Sequence, residues 1–197
     1  MTLTRLARTL AAVALFATAV YAQDSGSAEV ARKLSSRNVL ERQGAAEELA
    51  RLAAVEHRRL VEGYRVQEKD ARVKLALEWA LYRMGRGESL FAVVADLDEK
   101  KRAEQAVGYL KQLESPAPLY VFLERVNGHT TIRLLEVLAA LGDRETLERL
   151  KPFTASLDPS IADAAKFAER EITIRLEETP AVEPKRQRKV TSTETRP

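Results

Sequence analysis

The sequence predicts an all-α protein built as a stack of helix pairs, and three observations lead to that prediction. The stretch from Glu29 to Leu176 is rich in Ala, Leu, Glu, Arg and Lys, which favour helices. Its apolar residues recur at steps of three and four, which puts one apolar stripe along a helix. The stripes occur in pairs, and the pairs repeat about every thirty residues. A repeated helix pair is typical of an α-solenoid.

The first helix of each predicted pair carries the clearer stripe. The best example runs from Val73 to Met84 and is followed by Gly85, a residue that closes a helix in the left-handed conformation without steric cost. The last apolar residues of five successive first helices are 32, 29, 28 and 31 positions apart: Leu52, Met84, Leu113, Leu141 and Ile172.

A second apolar helix is predicted between each two of these stripes. The four segments are Leu60–Tyr64, Leu90–Leu97, Leu119–Val126 and Leu147–Phe153. The joints coincide with residues that end or begin helices: Gly85 and Gly87, Pro116 and Pro118, Asn127-Gly128, Gly142-Asp143 and Asp158-Pro159. At the last joint we expect Asp158 to accept a backbone N–H and Pro159 to occupy the first helical position.

Three of these segments resemble the HEAT-type repeat. Val73 to Gly85 (VKLALEWALYRMG) is similar to its first helix, Asp158 to Ala165 to the beginning of a repeat, and Leu138 to Asp143 to the end of one. The resemblance covers residues 29–176 as four full pairs and a last helix. It implies a right-handed α-α superhelix of about four to five helix pairs. Tetratricopeptide repeats are the alternative, but their 34-residue period and Trp/Gly/Tyr spacing are absent.

Composition and charge exclude several other classes of protein. The 197 residues are 45% hydrophobic and 31% charged and include no Cys, which excludes a disordered chain and a disulfide-stapled mini-protein. Residues 1–22 hold two of the 32 basic and none of the 29 acidic residues, and residues 177–197 hold five and four. The remaining 25 basic and 25 acidic residues lie between residues 23 and 176, so the body of the protein is expected to be neutral. A neutral body predicts no nucleic-acid partner.

The first 22 residues match the three-part pattern of a secretory signal peptide. Arg5 and Arg8 precede an apolar run from Leu10 to Val20, and Val20-Tyr21-Ala22 precedes a polar segment. We expect cleavage after Ala22, a short linker over 23–28, and export to a bacterial periplasm or the medium. A mitochondrial transit peptide is the alternative, but such peptides spread arginine along an amphipathic face. The run is too short to span about 30 Å of hydrocarbon comfortably, so we expect no stable membrane insertion after cleavage.

Residues 177–197 are predicted to form a disordered basic tail. They hold three Pro, several Thr and the string from Lys185 to Lys189. A solubilising role is the simpler interpretation, and weak contact with anionic envelope polymers or membranes is the alternative.

No sequence pattern predicts catalysis, a cofactor or a metal site. His57 and His129 lie 72 residues apart, and neither belongs to an HxxxH or HExxH pattern. No serine lies in a GxSxG-like turn, and neighbouring carboxylates such as Glu47 and Glu48 diverge by about 100° on a helix. We interpret His57 as a structural residue and His129 as a loop residue that caps the next helix. We therefore expect that the chain is not an enzyme.

The resemblance to HEAT repeats also implies where a partner binds. In that family the second helices usually line the concave side, where the polar face would present Arg59, Tyr120, Glu124 and Arg149. The leading hypothesis is an exported, non-enzymatic scaffold that binds a protein or peptide there, and an ordinary charged helix face is the alternative. Two other functions stay open: an accessory subunit of a modifying enzyme such as a lyase or hydrolase, and a structural spacer whose activity lies in its tail.

Overall fold

The computed structural model describes residues 26–178, and every regular element in this range is a helix. The prediction of an all-α protein is therefore confirmed for these residues. The predicted signal peptide, its cleavage point and the tail from 179 onward lie outside the described residues.

Ten α-helices follow one another along the described chain. They are α1 (26–32), α2 (Val39–Leu52), α3 (Arg58–Gln67), α4 (Ala71–Arg83), α5 (Ser89–Ala95), α6 (Ala103–Leu110), α7 (Tyr120–Leu123), α8 (Gly128–Leu141), α9 (Arg144–Thr154) and α10 (Pro159–Glu178). Short 3₁₀ turns lie at Lys33–Ser35, Val55–His57, Asp96–Asp98 and Ala117–Leu119. The predicted first helices correspond to α2, α4, α6, α8 and α10, and the second helices to α3, α5, α7 and α9.

Two predicted boundaries differ from the structure. Residues 26–28, expected in a linker, belong to α1, and residues 177–178, expected in the tail, complete the last turn of α10. Gly26 and Ser27 are weak helix formers, whereas the two glutamates at 177–178 favour a helix. The helices extend over both stretches because neighbouring residues are packed: Ala31 of α1 and Leu34 just after it are buried in the core, and Ile172 anchors α10.

Helix ends follow the capping chemistry of the sequence. Gly85 has φ +89°, the left-handed conformation that closes α4. Asp143 accepts the backbone N–H of Thr146 at 2.9 Å, and the Thr146 hydroxyl in turn accepts the N–H of Asp143, which makes a capping box for α9. The predicted cap of α10 is confirmed, since Asp158 accepts the N–H two residues on at 2.9 Å and Pro159 is the first helical residue.

The first helices pack in chain order. α2 contacts α4, α4 contacts α6, α6 contacts α8, and α8 contacts α10. The second helices lie against this row, with α3 on α4, α5 on α4 and α6, and α9 on α10. Fully buried alanines on the first helices permit close helix approach: Ala46, Ala76, Ala80, Ala106, Ala165 and Ala168. One continuous apolar core thus extends from Ala31 to Ile172.

Among the described glycines, Gly142 has the closest neighbouring atoms, and it lies where the end of α8 contacts α10. A Cβ placed on Gly142 would meet Cδ1 of Ile172, and would lie 2.7 Å from the carbonyl oxygen of Leu138 and 2.9 Å from Cγ1 of Ile172. Arg175 of α10 donates to the carbonyl oxygens of Ala139 at 2.8 Å and Gly142 at 2.6 Å. These bonds satisfy carbonyls at the end of α8 that have no helical partner.

An ion pair ties the N-terminal part of α2 to the α3–α4 loop. Arg42 donates from Nε and Nη2 to the two oxygens of Glu68, at 2.8 and 3.0 Å, and from Nη1 to the carbonyl oxygen of Ser36 at 3.0 Å. The Glu68 carboxylate also accepts the backbone N–H groups of Lys69 and Asp70, both at 2.9 Å. The hydrogen bonds from Arg42 hold the pKa of Glu68 below its usual value.

Candidate functional site

Two of the four predicted contact residues lie together between α7 and α9. The Arg149 guanidinium sits 4.3 Å from the centre of the Tyr120 ring, within the range of a cation–π contact. Arg149 also donates to Glu145 through Nε and Nη2, at 3.0 and 2.6 Å. The hydrogen bond with Glu145 raises the pKa of Arg149, and the charge of exposed Glu124 adds to it.

Tyr120 was expected to face a partner, but its side chain is buried. Its side chain is only 8% exposed, and its hydroxyl lies 2.7 Å from the Thr146 hydroxyl and donates to Asp143 at 3.1 Å. Burial raises the pKa of Tyr120. Burial opposes ionisation of Asp143, yet its pKa is lowered because the backbone and hydroxyl of Thr146 hydrogen-bond to the carboxylate. Tyr120 therefore secures the start of α9, and Arg149 covers its ring.

The remaining predicted residue is separate from this cluster. Arg59 is exposed on α3, and none of the hydrogen bonds or ion pairs in residues 26–178 joins it to Tyr120, Glu124 or Arg149. Arg59, Tyr120 and Arg149 lie on the second helices α3, α7 and α9, and Glu124 follows directly after α7. The four residues do not form one site.

A groove over α4, between α2 and α6, is a larger feature that the sequence interpretation missed. Its floor is an aromatic stack in which the Trp79 ring lies parallel to Tyr109, at 5.7 Å between centroids. Tyr82, which does not line the groove, stacks against Trp79 at 5.5 Å. Trp79 is 2% exposed and Tyr109 is 5% exposed. The rings thus form a rigid, nearly closed base.

A chain of hydrogen bonds crosses this floor and connects all three helices. The Tyr109 hydroxyl on α6 donates to Glu47 on α2 at 2.6 Å, and Gln43 donates to the same carboxylate oxygen at 2.9 Å. Gln105 donates to the Tyr109 hydroxyl at 2.7 Å and to the carbonyl oxygen of Arg72 on α4 at 3.1 Å. Burial, and then the hydrogen bond to Glu47, raise the pKa of Tyr109 further above the neutral range, so the phenol remains a hydrogen-bond donor.

Two exposed glycines form part of the groove walls. Gly44 lies inside α2 and Gly108 inside α6, and no atom lies within 4 Å of the position that a Cβ would take on either. The hollow between them measures about 510 Å³, and its rim carries Glu48, Arg51 and Gln112. Glycine inside a helix costs about 0.5–1 kcal/mol relative to alanine. Packing does not require glycine at these two positions. The glycines therefore keep the groove open and lower the stability of their helices.

The sequence contains a signal for this groove. Two glycines interrupt otherwise strong helical patterns, and the chain's single Trp lies on the helix between them. A local pattern could not show that the two glycines face the same space, because they lie on different helices.

A serine, a histidine and a carboxylate meet at the start of the described chain. Ser27 donates to Glu56 at 2.8 Å, and its hydroxyl oxygen lies 3.2 Å from Nε2 of His57. In a nucleophilic triad the carboxylate orients the histidine through the ring nitrogen that faces away from the serine. Here Glu56 lies 3.7 Å from the same Nε2, and Ser27 is only 3% exposed. The contact holds α1 against the Val55–His57 turn, in line with a structural role for His57.

The interpretation of His129 as a capping loop residue is wrong. His129 is the second residue of α8, where its exposed side chain makes no cap bond, and Nδ1 lies 3.9 Å from Asp98. Helix α8 starts earlier than the sequence suggests because Gly128 adopts φ +54° and already counts as its first residue.

Within residues 26–178, no three His, Asp or Glu side chains are grouped closely enough to hold a metal ion. No helix in that range has both the length and the apolar character needed to cross a bilayer. Comparison with known proteins returned no family model and no curated sequence that matches the chain.

Proposed function

We propose that the chain is an exported, non-enzymatic scaffold that binds a protein or peptide partner on the surface of an α-solenoid. The packing order of the first helices supports the solenoid, since each contacts the next in chain order as stacked HEAT-like pairs would. A right-handed superhelix of four to five pairs belongs to the same proposal. Export to the periplasm or the medium is inferred from residues 1–22.

The glycine-walled groove is the observation that carries the binding role. Glycine is the residue that lets another backbone approach a helix closely. Gly44 and Gly108 face one hollow whose floor is held rigid by the Trp79–Tyr109 stack and by the Tyr109–Glu47 hydrogen bond. A preformed, rigid groove binds a segment with little loss of entropy on the scaffold side.

The rim of the groove supplies exchangeable polar contacts. Glu48 and Arg51 pair with each other at 2.6 Å, where the Arg51 side chain is largely exposed and that of Glu48 is partly exposed. Such surface ion pairs contribute about 0–1 kcal/mol, so either partner can exchange this contact for one with a bound peptide at small cost. Two other places remain proposed contacts: Arg59 on α3, and separately Glu124, directly after α7, with Arg149 on α9.

Site-specific photo-crosslinking tests the groove. A photoreactive amino acid replaces Gln112, at the rim, in the full chain expressed in its native cells, and a second derivative carries it at Lys166 on α10 as a position control. We expect one defined protein adduct from position 112 and none of that size from position 166.

Leucine substitutions then test whether the groove itself holds the partner. Gly44→Leu with Gly108→Leu fills the hollow with residues that favour helices, whereas Gly63→Leu places the same side chain at an exposed glycine of α3 that does not line it. The adduct should disappear in the double variant and persist in the Gly63 variant, with both proteins equally helical by circular dichroism. An adduct that survives the double substitution, or no adduct at all, would contradict the proposal.

A further inference from the structure

Unpaired positive charge is concentrated where α4 and α6 begin. Arg72 and Lys74 are exposed in the first turns of α4, and Lys101 is exposed just before α6. None of the three side chains makes an ion pair with another residue of the range 26–178. A fourth cation, Arg102, is held in place by Asp96 through two hydrogen bonds of 2.9 and 2.8 Å.

These cations surround two adjoining hollows rather than a flat surface. The larger, about 470 Å³, is lined by Arg72, Lys101 and Arg102, and the smaller, about 160 Å³, contains Lys74. Ala71 and Arg102 line both, so the two hollows form one concave surface. We call it the basic hollow.

The acidic residues around the basic hollow already have partners. Asp70 accepts the N–H groups of Arg72 and Val73, at 2.9 and 3.2 Å, and so caps α4. Glu78 pairs with Arg65 at 2.7 Å, and Asp96 pairs with Arg102. The backbone bonds leave the negative charge of Asp70 in place, so Arg72, Lys74 and Lys101 carry three unpaired positive charges against this one carboxylate, although the body as a whole has equal numbers of basic and acidic residues.

We propose that the basic hollow binds the carboxylates of an acidic protein segment. Its shape favours a peptide over a bilayer, because a planar headgroup layer does not enter a concave site. Its lining favours a peptide over single-stranded nucleic acid, because neither hollow contains an aromatic side chain on which bases stack. Small apolar residues, Ala71, Leu75 and Ala92, leave room for a peptide backbone beside the cations.

This inference takes the class of partner from the proposed function but uses other residues. Gln105 lines the glycine-walled groove and donates to the carbonyl oxygen of Arg72, so the groove and the basic hollow are neighbours. A partner segment that lies in the groove would place an acidic continuation beside Arg72 and Lys101.

Fluorescence anisotropy with synthetic peptides tests the proposal. The probe is a fluorescein-labelled decapeptide of alternating Glu and Ala, and Gln/Ala and Lys/Ala decapeptides serve as controls, each titrated with the full chain after removal of residues 1–22. We expect binding of the Glu/Ala peptide alone, weakening as salt is raised. Arg72→Glu with Lys101→Glu should lower its affinity about tenfold, since two attractive contacts become repulsive.

A matched variant separates the site from overall charge. Lys166→Glu with Arg170→Glu makes the same change of net charge on exposed residues of α10 and should alter the affinity less than about twofold. Equal loss in both variants would overturn the proposal, because binding would then depend on net charge or on the basic tail. Phosphatidylglycerol vesicles or oligothymidylate that bind more tightly than the peptide, with the same dependence on Arg72 and Lys101, would overturn it as well.

The groove variant distinguishes this inference from the proposed function. Gly44→Leu with Gly108→Leu should still bind the Glu/Ala peptide, because it leaves Arg72 and Lys101 unchanged. If the peptide result holds while the crosslinked adduct is absent, the groove proposal fails and the basic hollow stands. If instead the crosslinked adduct forms and the Glu/Ala peptide does not bind, the inference about the basic hollow fails and the groove proposal stands.

Discussion

Gly142 ends α8 where α10 crosses it, and alanine at this position is expected to destabilise the fold. The new methyl group would meet Cδ1 of Ile172 and would lie 2.7 Å from the carbonyl oxygen of Leu138, whereas ordinary contacts of a Cβ lie at 3.4–4 Å. Gly142 has φ −58°, which any residue adopts, so the expected cost is steric and not conformational.

The magnitude follows from what must move. Ile172 is fully buried and has no open space into which to turn, so overpacking should cost about 1–3 kcal/mol. The Leu138 carbonyl accepts the N–H of Gly142 at 2.7 Å, and moving it away would weaken a bond worth about 1 kcal/mol. Alanine restricts the unfolded chain and returns about 0.4–1 kcal/mol. The net loss should be about 2 kcal/mol, or roughly 4–8 °C in Tm for a domain of this size.

Urea unfolding followed by far-UV circular dichroism measures this loss. Combining Gly142→Ala with Ile172→Val removes Cδ1, the atom nearest the new methyl group, so the double variant should be more stable than the sum of the two single effects predicts. A Gly142→Ala protein as stable as the parent would refute the reasoning. Strict additivity with Ile172→Val would show that the contact with Ile172 is not its cause.

Three further predictions concern stability and the groove. Alanine at Gly44 or at Gly108 should raise the free energy of unfolding by about 0.5–1 kcal/mol each, because a methyl group fits there and favours the helix; a decrease in urea unfolding would contradict the open space found at these positions. Because Arg42 holds the pKa of Glu68 below the ordinary 4.5, the carboxylate should stabilise the fold above that pH, and this stability should be lost as the pH falls through the folded-state pKa. Glu68→Gln should therefore lower Tm at neutral pH and flatten its fall in acid; an unchanged Tm–pH curve would exclude this role. Emission from Trp79 should be weakly quenched by acrylamide in the native protein and red-shifted in urea, and strong native quenching would contradict a closed groove floor.

Local features of the sequence predicted most of the helices. The stripe from Val73 to Met84 became α4, and Asp158 and Pro159 start α10 as expected. These features act within one or two turns of helix, so neighbouring residues are sufficient to define them. The prediction failed at His129 because the left-handed conformation of Gly128 allows α8 to begin one residue before it.

The candidate site was harder to predict because it joins distant parts of the chain. The hydrogen bond between Tyr109 and Glu47 connects residues 62 positions apart, and no local pattern marks that pair. Tyr120 looked like a surface residue of a polar helix face, yet its hydroxyl bonds to Thr146 of α9 and to Asp143, the N-cap residue of α9, and is buried there. In each case the partner lies on another helix, so only the packing of the helices reveals the contact.

The sequence by itself determined that residues 29–176 form helices, roughly where those helices begin and end, and which face of each is apolar. Those properties depend on the 3.6-residue period and on capping groups, both of which are local. The tertiary structure alone decided that Gly44 and Gly108 face one groove, and that Arg72 and Lys101 surround one hollow. Which surfaces meet depends on how the helices pack across long separations in the chain, and a single helical pattern does not contain that information.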